Sequence, residues 1–112
     1  MAFEQIQETI RSEKFDIDNS NDLRIVKEFE AELAPYREKS VEIFGNVLSG
    51  FDLYMHEKGL FRYSKAYPTG AVVGSNLKEY HMVVLKKRGL DDLNYRRQMA
   101  RQHEAERAEA IA

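Results

Sequence analysis

Cysteine and tryptophan are both absent from this chain of 112 residues. Without cysteine there is no disulfide, no thiolate nucleophile and no cysteine-ligated zinc or iron–sulfur site. The chain also has no run of about 18 apolar residues, the length that crosses a membrane. Its polar beginning, MAFEQIQETIRSEK, is unlike a secretory signal. We therefore expect one soluble domain spanning residues 1–112, located in the reducing cytoplasm and not associated with a membrane.

The common sequence signatures of catalysis and cofactor binding are missing as well. Three histidines, His56, His81 and His103, form no H-x-x-x-H pair, and no serine lies in a G-x-S-x-G pattern. The glycines at 70 and 74 match neither the Walker A motif nor G-x-G-x-x-G. The sequence therefore predicts no catalytic residue, no cofactor and no metal site, which favours a protein that is not an enzyme.

Charge is present in quantity but is unevenly distributed along the chain. Residues 1–58 carry 7 basic and 13 acidic side chains, whereas residues 59–102 carry 9 basic and 3 acidic ones. A basic half of this kind is typical of a surface that binds anions. Alternatively, the two halves pack together and neutralise each other, within one chain or between chains. The sequence leaves both interpretations open, and the second is the simpler one.

One long helix is the main structural prediction. Apolar residues between Tyr36 and Lys58 step by 3, 4, 3 and 4, the spacing of a coiled-coil seam. This seam, a core or oligomer contact, consists of Val41, Phe44, Leu48, Phe51 and Met55. Ile43, Val47 and Tyr54 add a second apolar stripe, which is typical of a helix with neighbours on two sides. We therefore predict a mainly α fold of four or five helices around a central helix at 36–58, ended by Gly59.

Weaker patterns place the remaining elements. Helical spacing predicts helices over about 2–14, 21–33 and 77–88, and a last helix from an N-cap at Asp91 to about 108, after a turn at Gly89. Ser20 or Asn21 is expected to cap the second of these. The Tyr67–Gly70 turn suggests a small β-hairpin near 60–73. The stretch 104–112 has little to bury, so we expect it to fray. The alternative fold is α+β, with a small antiparallel sheet formed by 60–67, 71–73 and 79–86.

Two functions from different classes follow from these patterns. The apolar stripes and the many aromatic residues favour a small regulator, adaptor or assembly factor. It would act through helix-mediated contacts with a protein partner or a second copy of itself. The alternative is a nucleic-acid-associated protein that uses the basic segment 62–101 to bind phosphates. The residues in question are Arg62, Lys65, Lys86, Lys87, Arg88, Arg96, Arg97 and Arg101.

Overall fold

Three helices and two separate β-hairpins make up the part of the chain that the structure describes. This computed structural model describes the backbone over residues 13–111 and side chains as far as Arg107. The helices are α1 (Ser20–Leu33), α2 (Gly50–Glu57) and α3 (Leu77–Ile111). The strands are β1 (Ser40–Ile43), β2 (Asn46–Ser49), β3 (Phe61–Arg62) and β4 (Ala71–Val72), and short 3-10 turns span Ala34–Tyr36 and Gly74–Asn76. The fold is therefore α+β.

Helix α1 begins at a side-chain cap one residue earlier than the sequence suggested. The side-chain oxygen of Asn19 accepts hydrogen bonds from the backbone N–H groups of Asn21 and Asp22, at 2.9 and 3.3 Å. Asn19 is thus the N-cap, and the expectation of Ser20 or Asn21 was wrong by a residue or two. The helix itself is confirmed, and it ends in the 3-10 turn that contains Pro35.

The predicted central helix at 36–58 does not exist. Residues 40–49 form an antiparallel hairpin in which Val41 pairs with Leu48 and Ile43 pairs with Asn46. The backbone turns between the strands at Phe44 and Gly45, where φ is +48° and +81°, and again at Gly50, where φ is +55°. A right-handed helix cannot pass through such positions. The prediction of four or five helices around a central helix is therefore wrong, and only the short helix α2 remains of it.

The end of α2 agrees with the sequence prediction. Gly59 has φ +73°, its N–H donates to the carbonyl of His56, and the N–H of Leu60 donates to that of Met55. This pair of bonds is a Schellman motif, which needs a left-handed residue at the position of Gly59. It turns the chain so that Leu60 becomes fully buried.

The second hairpin lies where the sequence placed it. Phe61 pairs with Val72 and Arg62 pairs with Ala71. The N–H of Gly70 donates to the carbonyl of Tyr67 at 2.9 Å, which closes the expected turn. Residues 79–86 are helical, so the strand that the alternative fold assigned to them is wrong and their helical interpretation is confirmed.

Helix α3 runs without a break from Leu77 to Ile111. The predicted turn at Gly89, with a new helix capped by Asp91, is therefore wrong. Gly89 is buried beneath Val26 of α1 and Phe15, and a Cβ on residue 89 would lie 2.7 Å from Cγ2 of Val26. This glycine permits close helix packing instead of ending a helix. The helix predicted over 2–14 lies mostly outside the described residues, and Glu13 and Lys14 are not helical.

The core lies where α1 is enclosed by α2 and α3. Val26, Phe29, Leu53, Leu60 and Leu90 have almost no exposed surface. The ring of Phe29 meets that of Tyr54 edge to face, with centroids 5.5 Å apart, and the ring of Tyr36 meets Tyr54 in the same geometry at the same distance. Aromatic pairs in this geometry add about 0.5–1.5 kcal/mol beyond the burial of their area. The cluster joins α1, the 3-10 turn after it and α2.

Candidate interaction surface

The β1–β2 hairpin carries an unusual turn. Because Ile43 pairs with Asn46, the connection consists of two residues, Phe44 and Gly45. Both have positive φ, the condition that a type I′ turn imposes. Such turns favour glycine, which has no Cβ to crowd the backbone, and asparagine or aspartate, whose short polar side chains can hydrogen-bond locally. Phe44 is the one non-glycine residue with positive φ in the described chain.

Apolar side chains surround this turn on the outside of the molecule. The exposed fractions are 43% for Val41, 53% for Phe44 and 67% for Val47. We call the turn and these three residues the hairpin surface. Val41 shares one face of the hairpin with buried Leu48, and Val47 shares the opposite face with Glu42, so Phe44 at the turn is the exposed apolar group that lies between the two faces.

The hairpin is held to the rest of the protein at its base and at its turn. Leu48, opposite Val41, is buried and attaches the strands to the domain. The Asn46 side-chain amide donates to the carbonyl of Pro68 at 2.6 Å, linking this hairpin to the turn of the second one. Tyr67, also largely exposed, precedes that proline. The hairpin surface is therefore displayed on an anchored element.

The five predicted seam residues do not form one stripe. Leu48 and Met55 are buried in the domain and Phe51 packs against the core, while Val41 and Phe44 project from the hairpin. The structure thus divides the predicted seam into a core part and an exposed part.

Ion pairs connect the acidic first half of the chain to the basic second half. Arg96 on α3 donates to Asp18 at 2.7 Å, and Arg97 donates to Glu30 on α1 at 2.7 and 3.4 Å. These contacts lie within one chain, so part of the opposite charge of the two halves is neutralised inside the fold. The hydrogen bond to Asp18 is also the main reason why the pKa of Arg96 is raised.

The other basic residues singled out from the sequence lie in several places. Arg62 and Lys65 are exposed on β3 and the loop after it, away from α3 in the chain. On α3, Lys86 is partly buried, Lys87 pairs with Asp91, and Arg88 donates to the backbone carbonyl of Glu13 at 3.4 Å. Lys87 and Arg88 are therefore engaged by groups of the same chain.

Part of that set does converge in a groove between α1 and α3, with a volume of about 730 Å³. Its four basic side chains are Arg37, Lys87, Arg97 and Arg101, and its two carboxylates are Glu30 and Asp91. Glu30 sits between Arg97 and Arg37, the latter at 3.9 Å. We call this the basic groove. Arg37 was not singled out from the sequence, because only the fold brings the end of α1 beside α3.

A second groove, of about 440 Å³, is almost entirely apolar. It is lined by β4, by Phe61 of β3 and by Leu77 and Tyr80 of α3. No carboxylate, histidine or lysine is among its lining residues. No group of three or more potential ligands that could hold a metal ion occurs in the described part of the chain.

One tyrosine has a distinctive environment. Burial, together with the neighbouring charge of Glu32, raises the pKa of Tyr54 to about 12. The Tyr54 hydroxyl donates to Oε2 of Glu32 at 3.2 Å. This contact joins α2 to α1 at the edge of the aromatic cluster. A hydroxyl with so high a pKa stays protonated at neutral pH, so it acts as a structural hydrogen-bond donor.

No family model, no curated protein and no solved structure matches this chain. Among the described residues, no helix combines the length and apolar character required to span a membrane.

Proposed function

We propose that this protein is a non-enzymatic interaction protein that binds a protein partner through the turn of the hairpin surface, with the exposed ring of Phe44 as the anchor. The observation that carries the proposal is the position of Phe44, which has φ +48° in a two-residue turn and yet is 53% exposed. In this proposal the protein is a regulator, adaptor or assembly factor of the cytoplasm.

The energetics of the turn support this proposal. A residue with a Cβ loses about 1–2 kcal/mol in the left-handed region relative to the right-handed one. Burial of the ring would offset that loss, but Phe44 is 53% exposed as a residue. Backbone outliers that the fold does not need are concentrated at binding sites. An exposed phenylalanine at the tip of a hairpin is also suited to fill a pocket on a partner, as aromatic anchors do.

The mode of contact differs from the one that the sequence suggested. The predicted helix-mediated binding required a continuous helix at 36–58, and residues 40–49 form a hairpin instead. The nucleic-acid alternative has no comparable observation in its favour, because carboxylates of the same chain already engage Arg96 and Arg97.

The test uses the full chain as bait in a nuclease-treated native extract. Three baits are compared: the natural sequence, Phe44→Asn, and Tyr95→Asn as a control. Tyr95 is an exposed aromatic residue on α3, far along the chain from the hairpin. Because asparagine accepts positive φ, Phe44→Asn keeps the turn and removes only the ring.

We expect a protein that binds the natural and Tyr95→Asn baits and is lost from the Phe44→Asn bait. The purified partner should repeat this order of affinities in calorimetry. Equal capture by all three baits, or capture that occurs only in a parallel extract without nuclease treatment, would refute the proposal.

A further inference from the structure

The groove of about 440 Å³ beside the first turns of α3 has a lining suited to apolar side chains. The ring of Phe61 forms one wall and packs directly on Gly70, where a Cβ would overlap the ring. Val72, Leu77 and Tyr80 complete the wall and are only partly buried. We call this the apolar groove. Apolar surface of this kind is stabilised when another apolar group covers it.

The described part of the chain begins on the same helix, at Glu13. The Glu13 carboxylate lies 3.0 Å from Nε2 of His81, and its backbone carbonyl accepts a hydrogen bond from Arg88 at 3.4 Å. Leu77, His81 and Arg88 are separated by four and seven residues, so they lie on one face of α3. Leu77 precedes His81 by four residues, which is about 6 Å along the axis. Glu13 is therefore attached to α3 about one turn from the groove wall.

The chain approaches the apolar groove when it is followed backwards from Phe15 to Glu13. Phe15 packs beside Gly89, whereas Glu13 reaches His81, which is about 12 Å nearer the start of α3. Continuing in this direction leads the preceding residues towards Leu77. Twelve residues precede Glu13, and an extended chain covers about 3.3 Å per residue, so the whole groove is within their reach.

The sequence of those twelve residues is suited to the apolar groove. Phe3, Ile6 and Ile10 are spaced by three and four residues, the spacing that places apolar side chains on one face of a helix. Most of the positions between them are polar. A segment with one apolar face packs into an apolar groove in a common mode of peptide recognition.

We propose that residues 3–10 occupy the apolar groove of the same chain through Phe3, Ile6 and Ile10. The contact between Glu13 and His81 fixes the point from which the segment reaches the groove. An apolar peptide of another protein would suit the same lining. The chain's own segment, however, is attached one turn away, and this gives it a high effective concentration at the groove. This inference is independent of the hairpin surface.

A spin label tests the proposal in the full chain, because the natural sequence has no cysteine to compete for the label. Thr9→Cys places a nitroxide within the segment, where it broadens the NMR signals of nearby methyl groups. We expect broadening at Val72 and Leu77. Ala105, about 42 Å further along α3 than Leu77, should be unaffected. Sharp signals at Val72 and Leu77 would overturn the proposal.

A charged substitution tests whether the apolar side chains hold the segment in place. Ile6→Asp, combined with the spin label, should abolish the broadening, because a carboxylate in an apolar groove is unfavourable. Gln5→Asp is the matched control, since it adds the same carboxylate at a position outside the apolar spacing, and it should leave the broadening unchanged. Persistent broadening in Ile6→Asp, or equal loss in both variants, would overturn the proposal.

A mixed sample distinguishes the chain's own segment from that of a second copy. Spin-labelled protein without NMR isotopes is mixed with isotope-labelled protein that has no spin label. We expect sharp signals at Val72 and Leu77 in this mixture. Broadening there would show that the segment comes from another molecule, and would overturn the proposal. Circular dichroism on each variant verifies that the helices are intact.

Discussion

Gly89 of α3 and Val26 of α1 approach so closely that a single added methyl group would stand 2.7 Å from Cγ2 of Val26. The Cβ of Phe15 would also lie 3.2 Å from a Cβ on residue 89. The absence of a side chain at residue 89 thus sets the distance between the two longest helices. We expect this contact to be among the most sensitive in the domain.

Gly89→Ala should lower the free energy of unfolding by about 1–3 kcal/mol through overpacking, in spite of the higher helix propensity of alanine. Chemical denaturation followed by circular dichroism measures the change. Gly74→Ala is the control, because a Cβ there meets nothing within 4 Å and the backbone is not left-handed. A neutral Gly89→Ala would mean that the helices are not in close contact at this point.

Phe44→Asn should raise the free energy of unfolding by about 1 kcal/mol, because asparagine tolerates the left-handed backbone that phenylalanine resists. Phe44→Ala separates this effect from the loss of the ring, since alanine retains the strain and should bring no gain. The same denaturation assay applies to both. If Phe44→Asn were destabilising, the ring would be contributing to folding and not only to binding.

The stability of the domain should fall between pH 10 and about 12, in part through Tyr54. Its pKa is raised in the folded chain, to about 12, whereas an unperturbed tyrosine has a pKa of 10.0. The folded state therefore holds this proton more tightly than the unfolded state, and that contribution is complete below pH 10 and lost as pH rises towards 12. Burial also raises the pKa of Tyr80.

Tyr54→Phe should lower stability by about 1 kcal/mol at neutral pH, from the lost hydrogen bond to Glu32. It should also flatten the fall between pH 10 and 12, while Tyr80 continues to contribute. Denaturation curves of both chains at several pH values provide the comparison. Parallel curves for the two chains would show that Tyr54 is not the group responsible.

The Arg97–Glu30 pair should contribute more than an exposed pair. Its two hydrogen bonds are partly buried, whereas Arg24 and Glu28 on α1 are about 60% exposed in side-chain area. Double-mutant cycles should give a coupling near 1 kcal/mol for the first pair and about 0.3–0.5 kcal/mol for the second. Equal couplings would indicate that the contact between α1 and α3 is dominated by apolar packing.

The elements that local sequence decides were the predictable ones. Helix α1, the glycine cap at Gly59 and the turn closed by Gly70 all follow from neighbouring residues. In contrast, the helical spacing of the predicted seam was a coincidence; its residues are Val41, Phe44, Leu48, Phe51 and Met55. The alternation of polar and apolar residues in Ser40–Ile43 correctly indicates a strand. Gly45 and Gly50 have positive φ, so a continuous helix cannot pass through them. The sequence alone does not show that these glycines have positive φ.

Other features could not be predicted from the sequence because they depend on contacts between residues that are far apart along the chain. Gly89 looks like a helix end followed by the cap Asp91, and only the approach of Val26 reveals its role. The basic groove needs Arg37 beside α3, and its Arg97–Glu30 ion pair joins residues 67 positions apart. The hairpin surface was hidden for a different reason, since Phe44 appeared to belong to a helical stripe.

The pairing of α1 with α3 has a consequence for the growing chain on the ribosome. Val26, Phe29 and Leu33 leave the exit tunnel long before the α3 residues that will cover part of them. During that interval their apolar face packs against the 3-10 turn after α1 and against α2, which are nearer in sequence. The core can therefore close fully only after α3 has been synthesised. Before that point the nascent protein is most exposed to misassembly or chaperone binding.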